Sequence, residues 1–241
     1  MSISAIMKKG WDLYTKNLQK FLVPIAIMIA PYLLYYLALY YGGPSIAVLM
    51  ILLSIIMLVV NLWIAIVIIE MVNSAYKNQP FDLNKILESS FKKIPSYLLV
   101  AFLTGLIVMM GIILLIIPGI IFAIWYAFSV YINILEGKKG MEALNASKAL
   151  VQGRWGATFW RLLAPAIAVY ILVMIVVLVL SYIFTGGHFN TASLGQSILF
   201  NILSSVIFLI LAPLFASFSV ILYNNLKETK QQAPASTQPT V

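Results

Sequence analysis

Few side chains in this chain of 241 residues could carry acid–base, nucleophilic or metal chemistry. There are seven acids, one histidine and no cysteine, and catalysis requires such groups to meet in one cleft. The acids are dispersed between long apolar stretches: Asp12, Glu70, Asp82, Glu88, Glu136, Glu142 and Glu228. The chain also has no P-loop, glycine-rich dinucleotide fingerprint or HExxH motif. The sequence therefore predicts neither enzyme activity nor a bound cofactor or metal.

Two of the acids, Glu70 and Glu136, follow aliphatic runs at the predicted inner ends of membrane spans. In one interpretation they reach the membrane interface and pair with neighbouring lysines. Those lysines are Lys77, Lys138 and Lys139. In the other, the two acids organise a cytoplasmic vestibule by binding Arg154 or Arg161, because a partly buried arginine–carboxylate pair is bidentate and positions its partners. Both interpretations remain open at this point.

Three asparagines lie inside apolar runs: Asn61, Asn133 and Asn201. A transport path would need several such groups around one cavity. Asparagines in membrane helices also hydrogen-bond neighbouring helices, a contact worth about 0.6 kcal/mol. No charged residue falls in the middle of an apolar run, so a proton relay or ion-coupled mechanism is not favoured.

All fifteen basic residues fall into four groups separated by pairs of long apolar stretches. The groups are Lys8, Lys9, Lys16 and Lys20; Lys77, Lys85, Lys92 and Lys93; Lys138, Lys139, Lys148, Arg154 and Arg161; and Lys227 and Lys230. Short loops rich in lysine and arginine stay in the cytoplasm. The pattern therefore predicts six spans and both termini in the cytoplasm. We also expect the membrane to be a prokaryotic cytoplasmic membrane. The net charge of +8 then faces anionic headgroups, and nucleic acid is not expected as a partner.

The composition agrees with this topology, since 63% of residues are hydrophobic and 9% are charged. Such a chain has too little polar surface for a soluble globule. A helix needs about 20 apolar residues to cross the hydrocarbon core. The predicted spans are about 21–41, 45–72, 97–117, 120–135, 159–184 and 195–223. We expect an all-α polytopic membrane protein whose six helices form three hairpins within one domain, residues 1–228.

Glycine and proline mark the predicted outer connections. Residues 42–44 form the first turn, and Pro118-Gly119 forms the second in the middle of a 39-residue apolar stretch. The third is a longer loop, residues 185–194, where His188 is expected to be solvated. The tail, residues 229–241, is polar and is expected to be disordered.

An amphipathic segment precedes each hairpin, at about 2–20, 82–94 and 140–152. In the first, apolar residues recur at steps of three and four, which predicts a helix lying on the cytoplasmic surface. Asp82 is the predicted N-cap of the second. The basic residues expected to hold anionic headgroups are Lys8, Lys9, Lys16, Lys20, Lys92, Lys93, Arg154 and Arg161.

The run from Leu114 to Trp155 contains Pro118-Gly119, Glu136-Gly137 and the stretch Gly140 to Ser147. This run resembles the six-span membrane domain found beside some bacterial glycerophosphodiester phosphodiesterases, and it also resembles stand-alone, YciC-like membrane proteins. The resemblance implies a helical membrane domain connected with lipids or the envelope. It does not imply phosphodiesterase activity, because no segment here is long and polar enough to form the separate soluble hydrolase barrel.

The sequence thus favours a non-enzymatic integral membrane protein that engages anionic lipid and supports envelope or lipid handling. Acyl chains would occupy apolar grooves between hairpins. One alternative is a transporter or channel for a small neutral or amphipathic molecule. Another is a membrane scaffold for a soluble protein partner, or a homo-oligomer.

Overall fold

The computed structural model describes residues 1–43, 46–80, 82–185 and 198–232, and these parts contain helices and no strand. The described helices are α1 (Ile3–Tyr41), α2 (Ala47–Tyr76), α3 (Leu83–Leu114), α4 (Ile116–Trp125), α5 (Ser129–Glu136), α6 (Gly140–Val151), α7 (Trp155–Phe184) and α8 (Ile198–Gln231). Six segments are long and apolar enough to cross a membrane, with α4 and α5 together counting as one. The prediction of an all-α protein with six candidate transmembrane segments is confirmed.

Helix α8 is the central element of the bundle. It packs against α1, α2, α6 and α7. In its most apolar 18-residue stretch 56% of the residues are buried, compared with 11% in the corresponding stretches of α3 and α7. The buried residues of α2 fall between Ile64 and Val72. Those of α8 fall between Leu209 and Leu226. The core therefore occupies the half of the bundle that contains the end of α2 and the end of α8.

Two of the three amphipathic segments do not form separate helices. Residues 2–20 continue into the first span as α1, and residues 82–94 continue into the third span as α3. Pro24 and Pro95 lie inside these helices, because a proline removes one backbone hydrogen bond without ending a helix when neighbouring packing supports it. Only α6 is separate from its span, because the left-handed Gly153 (φ +80°) turns the chain before α7. The side chain of Asp82 caps α3 as predicted.

The fourth predicted span, 120–135, is broken between α4 and α5. A helix break exposes backbone groups that lack intrahelical partners, and the buried Ser147 of α6 satisfies two of them. Its hydroxyl donates to the carbonyl of Trp125 (2.7 Å) and accepts from the N–H of Phe128 (3.1 Å). A side chain distant in sequence therefore supports this break.

The turn between α3 and α4 lies at Leu115 and not at Pro118-Gly119, which corrects the predicted position. Leu115 is extended (φ −164°, ψ 145°) and is shared as a cap by both helices, whereas Gly119 is a buried residue of α4. A Cβ atom at Gly119 would lie 2.8 Å from the backbone nitrogen of Ile112, and one at Gly111 would lie 2.9 Å from the Cα of Gly119. The glycines are therefore needed for the close approach of α3 and α4.

The tail also differs from its predicted start, because α8 continues to Gln231 and so includes residues 229–231. Several predictions fall outside the described residues: Pro44 in the first turn, most of the loop 185–194 with His188, the beginnings of the second and sixth spans, and the tail from residue 233.

Substitution of Gly119 by alanine tests the close approach of α3 and α4. The added methyl group meets the backbone of Ile112, which cannot rotate away, so we expect the free energy of unfolding to fall by about 1–3 kcal/mol. Unfolding is measured by titration with a denaturing detergent in mixed micelles. Gly105→Ala in α3 is the matched control, since no described atom lies within 4 Å of its Cβ position. Equal stability of the two variants would contradict the glycine contact.

Candidate functional site

Glu70 and its partner Lys93 together connect three helices. The Ser90 hydroxyl donates to Oε2 (3.2 Å), and the Lys93 ammonium forms an ion pair with Oε1. Lys93 also donates to the carbonyl of Ile134 (3.0 Å). These contacts join α2, α3 and α5. The partner of Glu70 is therefore Lys93, and the pairing with Lys77 considered from the sequence is not formed.

Glu136, the last residue of α5, receives its contacts mainly from α8. The Tyr223 hydroxyl (2.5 Å) and the Lys227 ammonium (2.8 Å) both donate to Oε1. Lys138 lies 3.7 Å from Oε2. Pairing with a lysine, one of the two interpretations, thus describes Glu136. Its closest basic partner is Lys227, which was not among the lysines predicted to pair with it.

The arginine vestibule predicted around the acids does not form in the described structure. Arg154 instead donates to the Thr229 hydroxyl (2.5 Å) and the carbonyl of Leu226 (3.1 Å), both on α8. Arg161, on α7, forms no ion pair with a described acid. Arg154 therefore contacts α8 through a hydroxyl and a backbone oxygen, and not through an acid.

Members of all four basic groups meet at one end of the bundle, which we call the basic end. The Lys9 ammonium lies 4.5 Å from the centre of the Tyr76 ring, and the Tyr76 hydroxyl donates to Glu228 (3.3 Å). Lys230 donates to the carbonyl of Ala149 (2.9 Å). Together with Lys93, Lys138, Arg154 and Lys227, these contacts place residues of every group at this end.

Two small cavities of about 200 Å³ each adjoin Glu136 at the basic end. The first, the lysine cavity, lies between α5, α6 and α8, and its lining includes Glu136, Lys138, Tyr223, Lys227 and Lys230. The second, the mixed cavity, lies between α2, α5 and α8, and its lining includes Asn73, Lys77, Glu136, Lys227 and Glu228. Both are polar at one side of a largely apolar bundle.

A larger apolar cleft separates α4 from the first turns of α7. Its volume is about 630 Å³, and its lining is Ile117, Ile120, Ile121, Trp125, Gln152, Gly153, Trp155 and Phe159. A second cavity of about 320 Å³, lined by Phe159 and residues of α4, α5, α7 and α8, adjoins it, because Phe159 lines both. The Trp155 indole N–H donates to the carbonyl of Ile121 (3.3 Å) across the cleft. The ammonium of Lys148 lies 4.5 Å from the centre of the Trp125 ring.

The three intramembrane asparagines do not line any of these four cavities. Asn61 donates to the carbonyl of Met57 in its own helix (2.7 Å). Asn133 donates to the Ser96 hydroxyl and the carbonyl of Lys138 (2.6 Å each). Asn201 lies in α8. The geometry of Asn61 and Asn133 is that of packing contacts.

The lysines predicted to hold headgroups on the first amphipathic segment are exposed: Lys8, Lys9, Lys16 and Lys20. Lys92 is also exposed and pairs with Glu88 one turn away (2.7 Å). Sequence reasoning missed Tyr223, and it noted Ser147 only as part of the stretch that carries the family resemblance. The available signal for Tyr223 was its spacing of four from Lys227, which puts both on one face of a helix.

Comparison with known proteins identifies the family. Residues 44–217 match the model of an uncharacterised protein family, UPF0259. The chain is 31% identical over 150 residues to a UPF0259 membrane protein of Sodalis glossinidius (strain morsitans), and the match covers 62% of this chain. It spans 56% of the length of that curated relative. No solved structure matches. These findings are consistent with the resemblance to YciC-like membrane proteins and give no support to the phosphodiesterase-associated architecture.

Substitution of Tyr223 by phenylalanine tests the contact that joins α5 to α8. It removes a hydrogen bond to a charged group and keeps the ring, so we expect a loss of about 1.5–3 kcal/mol in unfolding free energy. Detergent-denaturation curves measure the change. Tyr170→Phe, at a side chain that is 64% exposed in α7, controls for loss of a hydroxyl. If both variants unfold together with the wild type, the Tyr223–Glu136 contact contributes nothing to stability.

Proposed function

The chain belongs to the uncharacterised protein family UPF0259, and we propose that this membrane protein binds an anionic phospholipid in the cleft between α4 and α7. The observation that carries the proposal is an apolar cleft of about 630 Å³, one of whose lining residues, Trp125, has the ammonium of Lys148 over its ring. In this proposal the protein has a non-enzymatic role in lipid handling or envelope maintenance.

The walls of the cleft suit an acyl chain. They consist of aliphatic side chains of α4 and aromatic side chains of α7, and the volume lies within the range of about 300–1,000 Å³ typical of ligand sites. From Ile117 to Trp125, α4 extends about 12 Å at 1.5 Å per residue. An acyl chain lying along α4 keeps the contacts that it would otherwise make with other lipid tails.

Lys148 provides the preference for an anionic lipid. Its ammonium lies above the Trp125 ring, and Trp125 lines the cleft. A lysine near the membrane surface attracts anionic headgroups by about 1 kcal/mol. The exposed polar residue Gln152 and the neighbouring Gly153 also line the cleft, so a headgroup beside them would have hydrogen-bonding partners.

The topology that accompanies this function places the basic end and both termini in the cytoplasm. The convergence of all four basic groups at one end of the bundle supports this orientation, because lysine-rich and arginine-rich connections are retained on the cytoplasmic side. The bacterial relative supports a bacterial cytoplasmic membrane. In this orientation, the bound lipid belongs to the inner leaflet.

Transport is the less well supported alternative. A polar pathway would need polar side chains around a common cavity, whereas Asn61 and Asn133 line none of the four cavities described above. Their amide nitrogens donate to groups within the bundle, although Oδ1 of Asn133 is buried without a partner among the described residues. The described cavities therefore favour lipid binding over transport.

Filling the cleft with Ile121→Trp should expel the lipid. Native mass spectrometry of protein extracted in a mild detergent measures retained phospholipid, and we expect the variant to bind about tenfold more weakly, which corresponds to a loss of about 1.4 kcal/mol. The control is Ile113→Trp on α3, a position that is 74% exposed outside the cleft. Lys148→Gln should reduce the preference for anionic over neutral lipid while neutral lipid still binds. A wild-type protein without lipid, or with the same lipid content as Ile121→Trp, would contradict the proposal.

A further inference from the structure

The lysine cavity at the basic end shares no lining residue with the apolar cleft. It lies between α5, α6 and α8, and has a volume of about 200 Å³. Ala149 and Leu150 of α6 line it, whereas Gln152 and Gly153, which follow after Val151, line the cleft. The lysine cavity is therefore distinct from the cleft.

The charge of the lining is unbalanced. Three ammonium groups, those of Lys138, Lys227 and Lys230, face the cavity with a single carboxylate, that of Glu136. The lining therefore carries an excess of two positive charges. Oε1 of Glu136 already accepts from Lys227 and Tyr223, so this acid cannot neutralise all three lysines.

The lysines retain hydrogen-bonding capacity. An ammonium group has three N–H donors. Lys230 contacts the carbonyl of Ala149, Lys227 contacts Glu136, and Lys138 is 3.7 Å from that carboxylate. Each lysine thus makes one described polar contact, and its remaining N–H groups can serve an oxygen-rich ligand.

The adjacent mixed cavity shows that this charge excess is specific to the lysine cavity. It has a similar volume and shares Glu136, Tyr223 and Lys227. Its other charged residues, Lys77 and Glu228, bring the lining to two lysines and two glutamates. The mixed cavity is therefore neutral, and only the lysine cavity attracts an anion by its net charge.

We infer that the lysine cavity binds a phosphate-bearing anion. A phosphate monoester carries a charge of about −1.5 to −2 at pH 7 and three strong acceptor oxygens, which matches the excess charge and the spare donors. Lysine binds phosphate as a point charge and needs no planar geometry. The volume equals that of about six or seven water molecules in the liquid, at about 30 Å³ each, so it holds a phosphate with a small substituent. A lipid headgroup and a soluble phosphate compound share this chemistry.

Binding in this cavity would connect α6 to α8. Lys138 follows α5, whereas Lys227 and Lys230 belong to α8, and the wall opposite is α6. An anion shared by these lysines adds contacts across three helices. An anion that binds only the folded protein should therefore stabilise it by an amount that grows with anion concentration relative to the dissociation constant.

The first arm of the test titrates the full-length protein in a neutral detergent with inorganic phosphate and follows thermal unfolding, with sodium chloride at matched ionic strength as reference. We expect a phosphate-specific stabilisation that rises with the logarithm of phosphate concentration above the dissociation constant. The fitted affinity should be about tenfold weaker in Lys138→Gln and in Lys230→Gln, because each loses charge-assisted hydrogen bonds. Lys77→Gln removes a lysine from the mixed cavity and should bind phosphate like the wild type.

The second arm distinguishes a lipid headgroup from a soluble anion and also separates this site from the cleft. It uses Ile121→Trp, in which the cleft is filled, and compares phosphatidic acid, whose headgroup is a phosphate monoester, with phosphatidylcholine of the same acyl chains by native mass spectrometry. Preferential phosphatidic acid binding that is lost when Lys138→Gln and Lys230→Gln are added identifies a headgroup. Saturable binding of inorganic phosphate without that preference identifies a soluble anion. Absence of both effects, or equal effects in the Lys77→Gln control and the lysine-cavity variants, overturns the inference whether or not the cleft binds lipid.

Discussion

The arrangement of the basic end depends on the contacts of the Glu136 carboxylate with Tyr223 and Lys227. Helices surrounded by lipid gain little from hydrophobic contact with one another, because lipid tails are equally apolar, so close packing and polar contacts decide which helices associate. Glu136 at the end of α5 accepts from Tyr223 and Lys227 of α8. Glu70 does the same between α2 and α3. These two acids hold together the elements around which the buried core forms.

The break between α4 and α5 connects this polar end to the apolar cleft. Since Ser147 satisfies backbone groups on both sides of the break, the chain can bend there while both α4 and α5 pack against α3. Beyond the break, α5 also packs against α6 and contacts Tyr223 of α8. The cleft and the lysine cavity lie on either side of the end of α6. One interhelical contact therefore shapes both proposed binding sites, an apolar one for an acyl chain and a charged one for a phosphate.

Residues that carried the resemblance to known membrane proteins have structural roles in this fold. Gly119 allows the close approach of α3 and α4, Gly137 ends α5 in the left-handed conformation, and Ser147 supports the break before α5. The family match covers residues 44–217, whereas Tyr223 and Lys227 lie beyond it. The matched region thus contains Glu136 and the cleft. The partners of Glu136 on α8, Tyr223 and Lys227, lie in the segment that follows the matched region.

The sequence by itself determined the class of the protein, the number of candidate spans and the grouping of its charges, because hydrophobic length and lysine position are local properties of the chain. It did not determine that α1 and α3 continue through their amphipathic segments, or that α3 ends at Leu114. The partners of Glu70 and Glu136 were also decided only by tertiary structure: Lys227 is 91 residues from Glu136. Several lysines were chemically equivalent candidates, and the packing of α5 against α6 and α8 selected among them, since an ion pair depends on distance in space, which periodicity along one helix does not encode.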